Sequence, residues 1–178
     1  MAYYRTDGFI GGQNIADTVL STDLIGTGST AIAARHPLGT VCKARDATYG
    51  EGEFIYLLGV ASTVVGSIVT YNASTYQTAL CAVGTGISPS PVAVAMSANV
   101  AGSYGWYQIA GVAVCAKAAT ICCVAGAAVG VKTIGLISKG GSLTKLESAV
   151  CAATASAKTG VVTVLVQMRY PHNMAGVV

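Results

Sequence analysis

Charge is scarce in this 178-residue chain: ten basic and seven acidic side chains make 10% of residues, against about 25% in ordinary soluble domains. After Glu53 the next charged residue is Lys117, and the only later carboxylate is Glu147. General acid–base work needs a paired Asp, Glu or His beside a pocket, and the sequence beyond Glu53 cannot supply that pair. The two histidines, His36 and His172, each adjoin a proline near opposite ends of the chain. No G-x-S-x-G elbow or phosphate-binding glycine loop with its lysine occurs, so no enzyme is expected. A net charge of +3, with no Lys/Arg run and no basic–aromatic platform, argues against direct contact with nucleic acid.

Large apolar side chains at helical spacing are also missing. The hydrophobic content, 53%, leans on Ala and Val, broken by Gly, rather than on Leu or Phe, and no repeating stripe for a helix bundle appears. The most hydrophobic region, Ile109 to Ile137, is crossed by Lys117 and Lys132. Its uncharged piece is shorter than the roughly 18 apolar residues of a spanning helix, so no membrane segment is expected. The opening Met1-Ala-Tyr-Tyr-Arg-Thr-Asp has no basic region leading into an apolar one, and no secretory signal is expected there. The six cysteines, 42, 81, 115, 122, 123 and 151, are then expected as reduced thiols packed as small hydrophobes. Adjacent Cys122 and Cys123 point to opposite faces of a strand, and two separate C-x₂-C pairs for zinc are absent. No metal or cofactor is expected.

What is present is a dense polar cluster followed by strands. Between Leu38 and Gly59 stand Lys43, Arg45, Asp46, Glu51 and Glu53. Tyr49-Gly-Glu-Gly52 reads as a turn, because its glycines accept positive φ. Phe54 to Leu58 reads as a buried strand closed by Gly59. Residues 1–37 read as an extended, irregular arm: aspartates and glycines interrupt every apolar run, and such a segment is expected to order on neighbouring subunits. Within it GTGSTA, residues 26–31, matches a dinucleotide fingerprint with Asp46 at the distance of a ribose-binding acid. Pro37 stops the helix that this fingerprint requires, so the glycines read as a hinge.

Residues 38–178 form the expected β-rich domain. Ser67 to Tyr71 and Gln77 to Val83 read as a hairpin around Asn72-Ala-Ser-Thr, followed by Val92 to Met96. In the strand from Gly105 to Val114, Gly111 marks a bulge or close approach. Further strands are expected over 120–124, 129–137 and 161–168, and a helical turn over 152–157. Short strands at this spacing predict an all-β fold, a small β-sandwich or barrel of jelly-roll- or tulip-like form. Cys42 beside Lys43 and Arg45 is a chemically conceivable nucleophile, but a cysteine among strand residues reads first as packing.

Leu38-Gly-Thr, the run YGEGEFIYLLGVAS, the strand from Gly66 to Tyr71, PVAVAMSANVAGSYGWYQIAGVAV and the closing apolar strand resemble the capsid decoration (cement) proteins of tailed bacteriophages. The similarity covers Leu38 to Val114 well and the remainder loosely; the stretch from Cys115 to Cys123 is outside the pattern. The resemblance implies a structural virion protein on the outer capsid surface, assembled in the host cytoplasm. It implies binding to the major capsid protein at joints between capsomers, often as a homotrimer. The low charge agrees with such closed association. Lys43, Arg45, Asp46, Tyr49, Glu51, Glu53, Trp106 and Tyr107 are the expected contact residues. A second reading is a carbohydrate- or receptor-binding module of a head fibre or spike, with Tyr71, Tyr76, Tyr104, Trp106 and Tyr107 as an aromatic platform.

Overall fold

The computed structural model describes residues 4–6, 15–16, 18–19, 34–84, 88–99, 101–118, 122–139, 144–155 and 162–175. Among them there is no helix, and twelve strands make the fold all-β, as the short-strand pattern predicts. They are β1 (Tyr4–Arg5), β2 (Thr18–Val19), β3 (Val41–Asp46), β4 (Gly50–Leu58), β5 (Ile68–Tyr71), β6 (Thr78–Leu80), β7 (Ser90–Ala95), β8 (Tyr104–Lys117), β9 (Ala128–Thr133), β10 (Leu136–Lys139), β11 (Thr144–Cys151) and β12 (Val162–Ala175).

Six strands close into a barrel in the order β8–β10–β9–β11–β12–β7 and back to β8, and β12 also pairs with β8 directly. The β8–β10 seam is parallel, through Ile137 and Lys117; the other barrel pairings are antiparallel. Inward positions alternate with outward ones along β11, as a half-buried strand requires. The interior is filled by Val129, Val131, Ile137, Leu146, Val164, Val166 and Met168, together with Cys81, Cys115, Cys123 and Cys151.

Outside the barrel β8 carries a second layer. Its first half pairs with β4, β4 with β3, and β3 with β1, while β5 and β6 extend the opposite side from β7. β4 is covered on both faces, so its apolar run does not alternate. Phe54 and Tyr56 pack with Trp106, Cys42, Ala44 and Ile15, and Ile55 and Leu57 pack with Val69, Tyr107 and Ile109. Gly111 marks the close approach expected of it. Its φ is +97°, and a Cβ there would lie 2.4 Å from the Glu51 carbonyl oxygen. The adjacent shift in register, where Glu53 faces Ala110 and Phe54 faces Gln108, leaves Ile109 as the extra residue. The Gln108 amide spans this irregularity, donating to the carbonyls of Ala110 and Val112.

Several local expectations are corrected. The turn expected at 49–52 lies at 47–49, and Gly50 already begins β4. The Asp46 carboxylate accepts the backbone N–H groups of Thr48 and Tyr49 at 2.7 and 3.1 Å, an Asx turn that reverses the chain earlier than the glycines suggest. Residues 129–137 form a hairpin rather than one strand, because Gly135, at φ +71°, turns the chain beside an exposed Ile134. The strand expected at 120–124 is a single bridge between Cys123 and Ala155 among its described residues. Residues 152–155 bend into that bridge instead of forming a helical turn; 156–157 lie outside the described residues. The described pieces of the arm sit on the chain's own body. β1 pairs with β3 and β2 with β8, while Ile15 and His36 are buried. The fingerprint at 26–31 lies outside the described residues.

Candidate functional site

Because β3 alternates, it turns Cys42, Ala44 and Asp46 inward and Lys43 and Arg45 outward. Its partner β4 places Glu53 opposite Lys43 and Glu51 opposite Arg45. A row of two cations therefore runs beside a row of two carboxylates on one outer face. Lys43 Nζ lies 3.4 Å from Glu53 Oε1. The register continues from Glu53 to Ala110 on β8 and from Ala110 to Arg169 on β12, adding a third cation across the sheet.

A tyrosine far away in sequence completes the face. β12 follows β8 as far as Arg169 and then leaves it to pair with β7 at His172 and Asn173. At this departure Tyr170 adopts φ +49°, a left-handed conformation that costs a non-glycine residue about 1–3 kcal/mol. Across the same bend, β11 shifts register with Ser148 at φ +58°. Half-exposed Tyr170 thereby reaches over β8 and donates its hydroxyl to Glu53 Oε2. That hydrogen bond to the carboxylate, more than desolvation, raises the Tyr170 phenol above its ordinary pKa. Glu53 is thus held from both sides, by Lys43 on one oxygen and Tyr170 on the other.

Lys43, Glu51, Gly52, Glu53, Ala110 and Gly111 line a shallow cleft of about 200 Å³. Small-molecule sites usually enclose about 300–1,000 Å³. Gly52, Ala110 and Gly111 form its floor, and the Cβ side of the two glycines is filled by Gln108, Phe54 and the Glu51 carbonyl. A larger cleft of about 370 Å³ lies on the β5–β6 hairpin beside Tyr71, Asn72, Thr75, Gln77 and Ser90. Much of its polar lining already serves the fold. Asn72 Oδ1 accepts from the backbone of Ser74 and Thr75, and the Gln77 amide donates to the carbonyls of Leu58, Gly59 and Thr78.

Of the eight expected contact residues, four share the charged face: Lys43, Arg45, Glu51 and Glu53. Asp46 is buried at the end of β3 as the Asx cap, and Tyr49 is half-buried against the Phe54–Trp106 cluster. Trp106 and Tyr107 require correction, since both are fully buried within the chain itself and present no surface to a partner. They point to opposite sides of β8. Trp106 packs at 5.1 Å from the Tyr56 ring and 5.3 Å from His36. The Tyr107 hydroxyl accepts from the Asn99 amide at 2.7 Å, and burial raises its pKa. The expected aromatic platform is therefore not assembled. Sequence reading missed Tyr170 and Arg169, because only the path of β12 brings them to the hairpin.

All six cysteines are free thiols, five of them buried. Cys42 faces away from Lys43 and Arg45 into the aromatic cluster, so the cations that would activate it lie on the other side of the strand. Burial pushes the Cys81 thiol up to about 12, which makes it a packing residue. Among the described residues, no three His, Cys, Asp or Glu side chains are grouped to hold a metal ion, and no helix is long and apolar enough to cross a membrane. No family model matches the chain, and no curated protein or solved structure is significantly similar to it.

Proposed function

We propose that this chain is a structural protein of the phage virion, a decoration protein that binds the outside of the capsid and reinforces contacts between capsomers. The observation that carries the reading is the outer face of β3 and β4. There, rows of opposite charge are braced by a backbone-strained tyrosine over a floor of Ala110, Gly111 and Gly52. Strain of this kind is retained where the surroundings hold it for a purpose. A shallow, charged face suits a protein partner better than a small substrate. The resemblance of residues 38–114 to cement proteins names that partner as the major capsid protein, with the chain acting as a homotrimer on the outer surface. Exposed ion pairs contribute only about 0–1 kcal/mol each; affinity comes from apolar burial, and the charges set register and association rate.

The test is binding to empty capsids assembled from the coat protein of the phage that encodes the chain. The double change Glu51→Lys with Glu53→Lys is expected to slow or misplace binding, while Lys139→Gln with Lys145→Gln leaves occupancy nearly unchanged. Loss of occupancy in the second variant but not the first would reverse the assignment of inner and outer faces. Specific glycan binding by the isolated protein without capsid binding would favour the carbohydrate- or receptor-binding reading, with the Tyr71–Gln77 cleft as its site. Sedimentation as a monomer both free and on the shell would remove the trimer.

A further inference from the structure

Four of the five buried cysteines lie inside the barrel, in one continuous cluster. The path of the backbone decides which of them can meet. Cys123 exchanges two backbone hydrogen bonds with Ala155, at 3.0 and 2.8 Å. The chain then turns, with Ala127 N–H donating to the Val124 carbonyl, and the next residues grip Cys151. Gly126 N–H donates to the Cys151 carbonyl at 2.8 Å, and Cys151 N–H donates to the Ala127 carbonyl at 2.9 Å. Segments 123–127 and 151–155 are thus held against each other by four backbone hydrogen bonds, and Ala125 N–H donates to Thr154 Oγ1 at 3.2 Å. Both thiols turn inward, and the Cys123 and Cys151 side chains are in hydrogen-bonding contact.

The other cysteines are excluded by geometry. Cys115 pairs with Val164 across β8 and β12, while Cys151 pairs with Val166 across β11 and β12. Cys115 and Cys151 are therefore two strand spacings apart and two residues out of step along β12, on the order of 10 Å or more, and a disulfide needs Cα atoms within about 7 Å. Cys81 lies where its backbone bonds Ile68 and Gly135, near the β9–β10 turn. Cys122 is exposed while its neighbour is buried, so its side chain leaves the barrel, although it still lies near enough to Cys151 to act on its titration.

We propose that Cys123 and Cys151 are a redox-dependent staple, forming an intramolecular disulfide when the protein meets a small-molecule disulfide oxidant. The step breaks two S–H bonds and forms one S–S bond in the protein. The oxidant's S–S bond is cleaved, and it takes up the two electrons and two protons as two thiols. The product ties the turn at 124–127 to the end of β11, closing a covalent loop around β9, β10 and nearly all of β11. This inference does not depend on the capsid reading. The reaction is slow at neutral pH, because burial and the neighbouring thiols hold Cys151 protonated, pushed up to about 12, and the attacking species is the thiolate.

Incubation of the folded full chain with glutathione disulfide at mildly alkaline pH tests it. Thiols are then counted in denaturant, and a tryptic digest is mapped without reduction. Cleavage after Lys117, Lys132, Lys145 and Lys158 places Cys122 and Cys123 in peptide 118–132 and Cys151 in peptide 146–158. The expected result is a fall of two titratable thiols and a linked 118–132/146–158 species, with the thermal midpoint raised by about 10 °C. The linkage persists in Cys122→Ser, an exposed change compatible with folding, and disappears in Cys123→Ala. Retention of all six thiols, loss of the linkage in Cys122→Ser, or the same peptides joined only between two copies would overturn the proposal.

Discussion

The barrel and the outer layer on β8 are filled differently. Inside the barrel the side chains are valines, cysteines and alanines with a few larger ones, Ile137, Leu146 and Met168. Beneath β3 and β4 lie Phe54, Tyr56 and Trp106, with His36 against both Tyr56 and Trp106. A closed ring pairs its own strand edges and can be filled by small residues from every side. Among the described residues the outer layer ends at β1, and Ala34, His36, Leu38 and Ile15 pack over it. The described side chains that fill that space include the largest in the chain. The same outer layer carries Lys43, Arg45, Glu51 and Glu53. The barrel is a closed ring and the outer layer carries the charged face, and β8 is common to both.

If this contrast is right, removing one large side chain harms the outer layer more than removing one from the barrel. Trp106→Ala is expected to destabilise the protein by about 3–5 kcal/mol, and Ile137→Ala by about 2–4 kcal/mol, measured by urea unfolding. In hydrogen exchange, Trp106→Ala should release protection in β3 and β4 before the barrel; uniform loss would show that the two regions unfold as one. Gly111→Ala probes the seam itself, where the added methyl meets the Glu51 carbonyl in a left-handed backbone. It is expected to destabilise by about 2–3 kcal/mol and to weaken the β4–β8 pairing first, again read by hydrogen exchange.

The smallest effect near neutrality is the pH dependence. Burial raises Cys81 and Cys151 from 9.0 to about 12 and raises Tyr107 above 10.0. Each acid is held neutral when folded and loses its proton more readily when unfolded. Stability from these groups is therefore complete below about pH 9 and falls as pH rises through the interval toward 12. Urea midpoints should be level from pH 6 to 8 and decline beyond pH 9. Replacing Cys81 with Ala should flatten the decline, and a barrel cysteine should matter more than solvent-linked Tyr170.

Much of this architecture is written locally. β4 was legible because its apolar run is covered on both faces, and the β5–β6 hairpin because Asn72 and its neighbours make a turn. β3 and β11 were not, although both alternate. Their inward positions are small residues such as Cys42, Ala44 and Ala149, and their outward charges read as a polar cluster or a loop. The charged face was half legible: cross-strand pairing follows from the hairpin, whereas Tyr170 arrives through a bend more than a hundred residues away. Trp106 and Tyr107 misled because aromatic residues beside glycine-rich loops resemble a surface. Their burial depends on segments near 34–38 and 97–99 that no local pattern connects to them.

β12 joins β11, β7 and β8, and this has a consequence in time. Until Val162–Ala175 docks, all three partners present unpaired N–H and C=O groups, at a stage when the intervening chain has little charge to keep it apart from other copies. Such edges invite pairing between chains. A topology dominated by pairings distant in sequence folds in milliseconds to seconds rather than microseconds. The window for misassembly is therefore set by how quickly the last stave closes the ring, and yield during synthesis should respond to temperature and concentration more sharply than the stability of the finished protein would suggest.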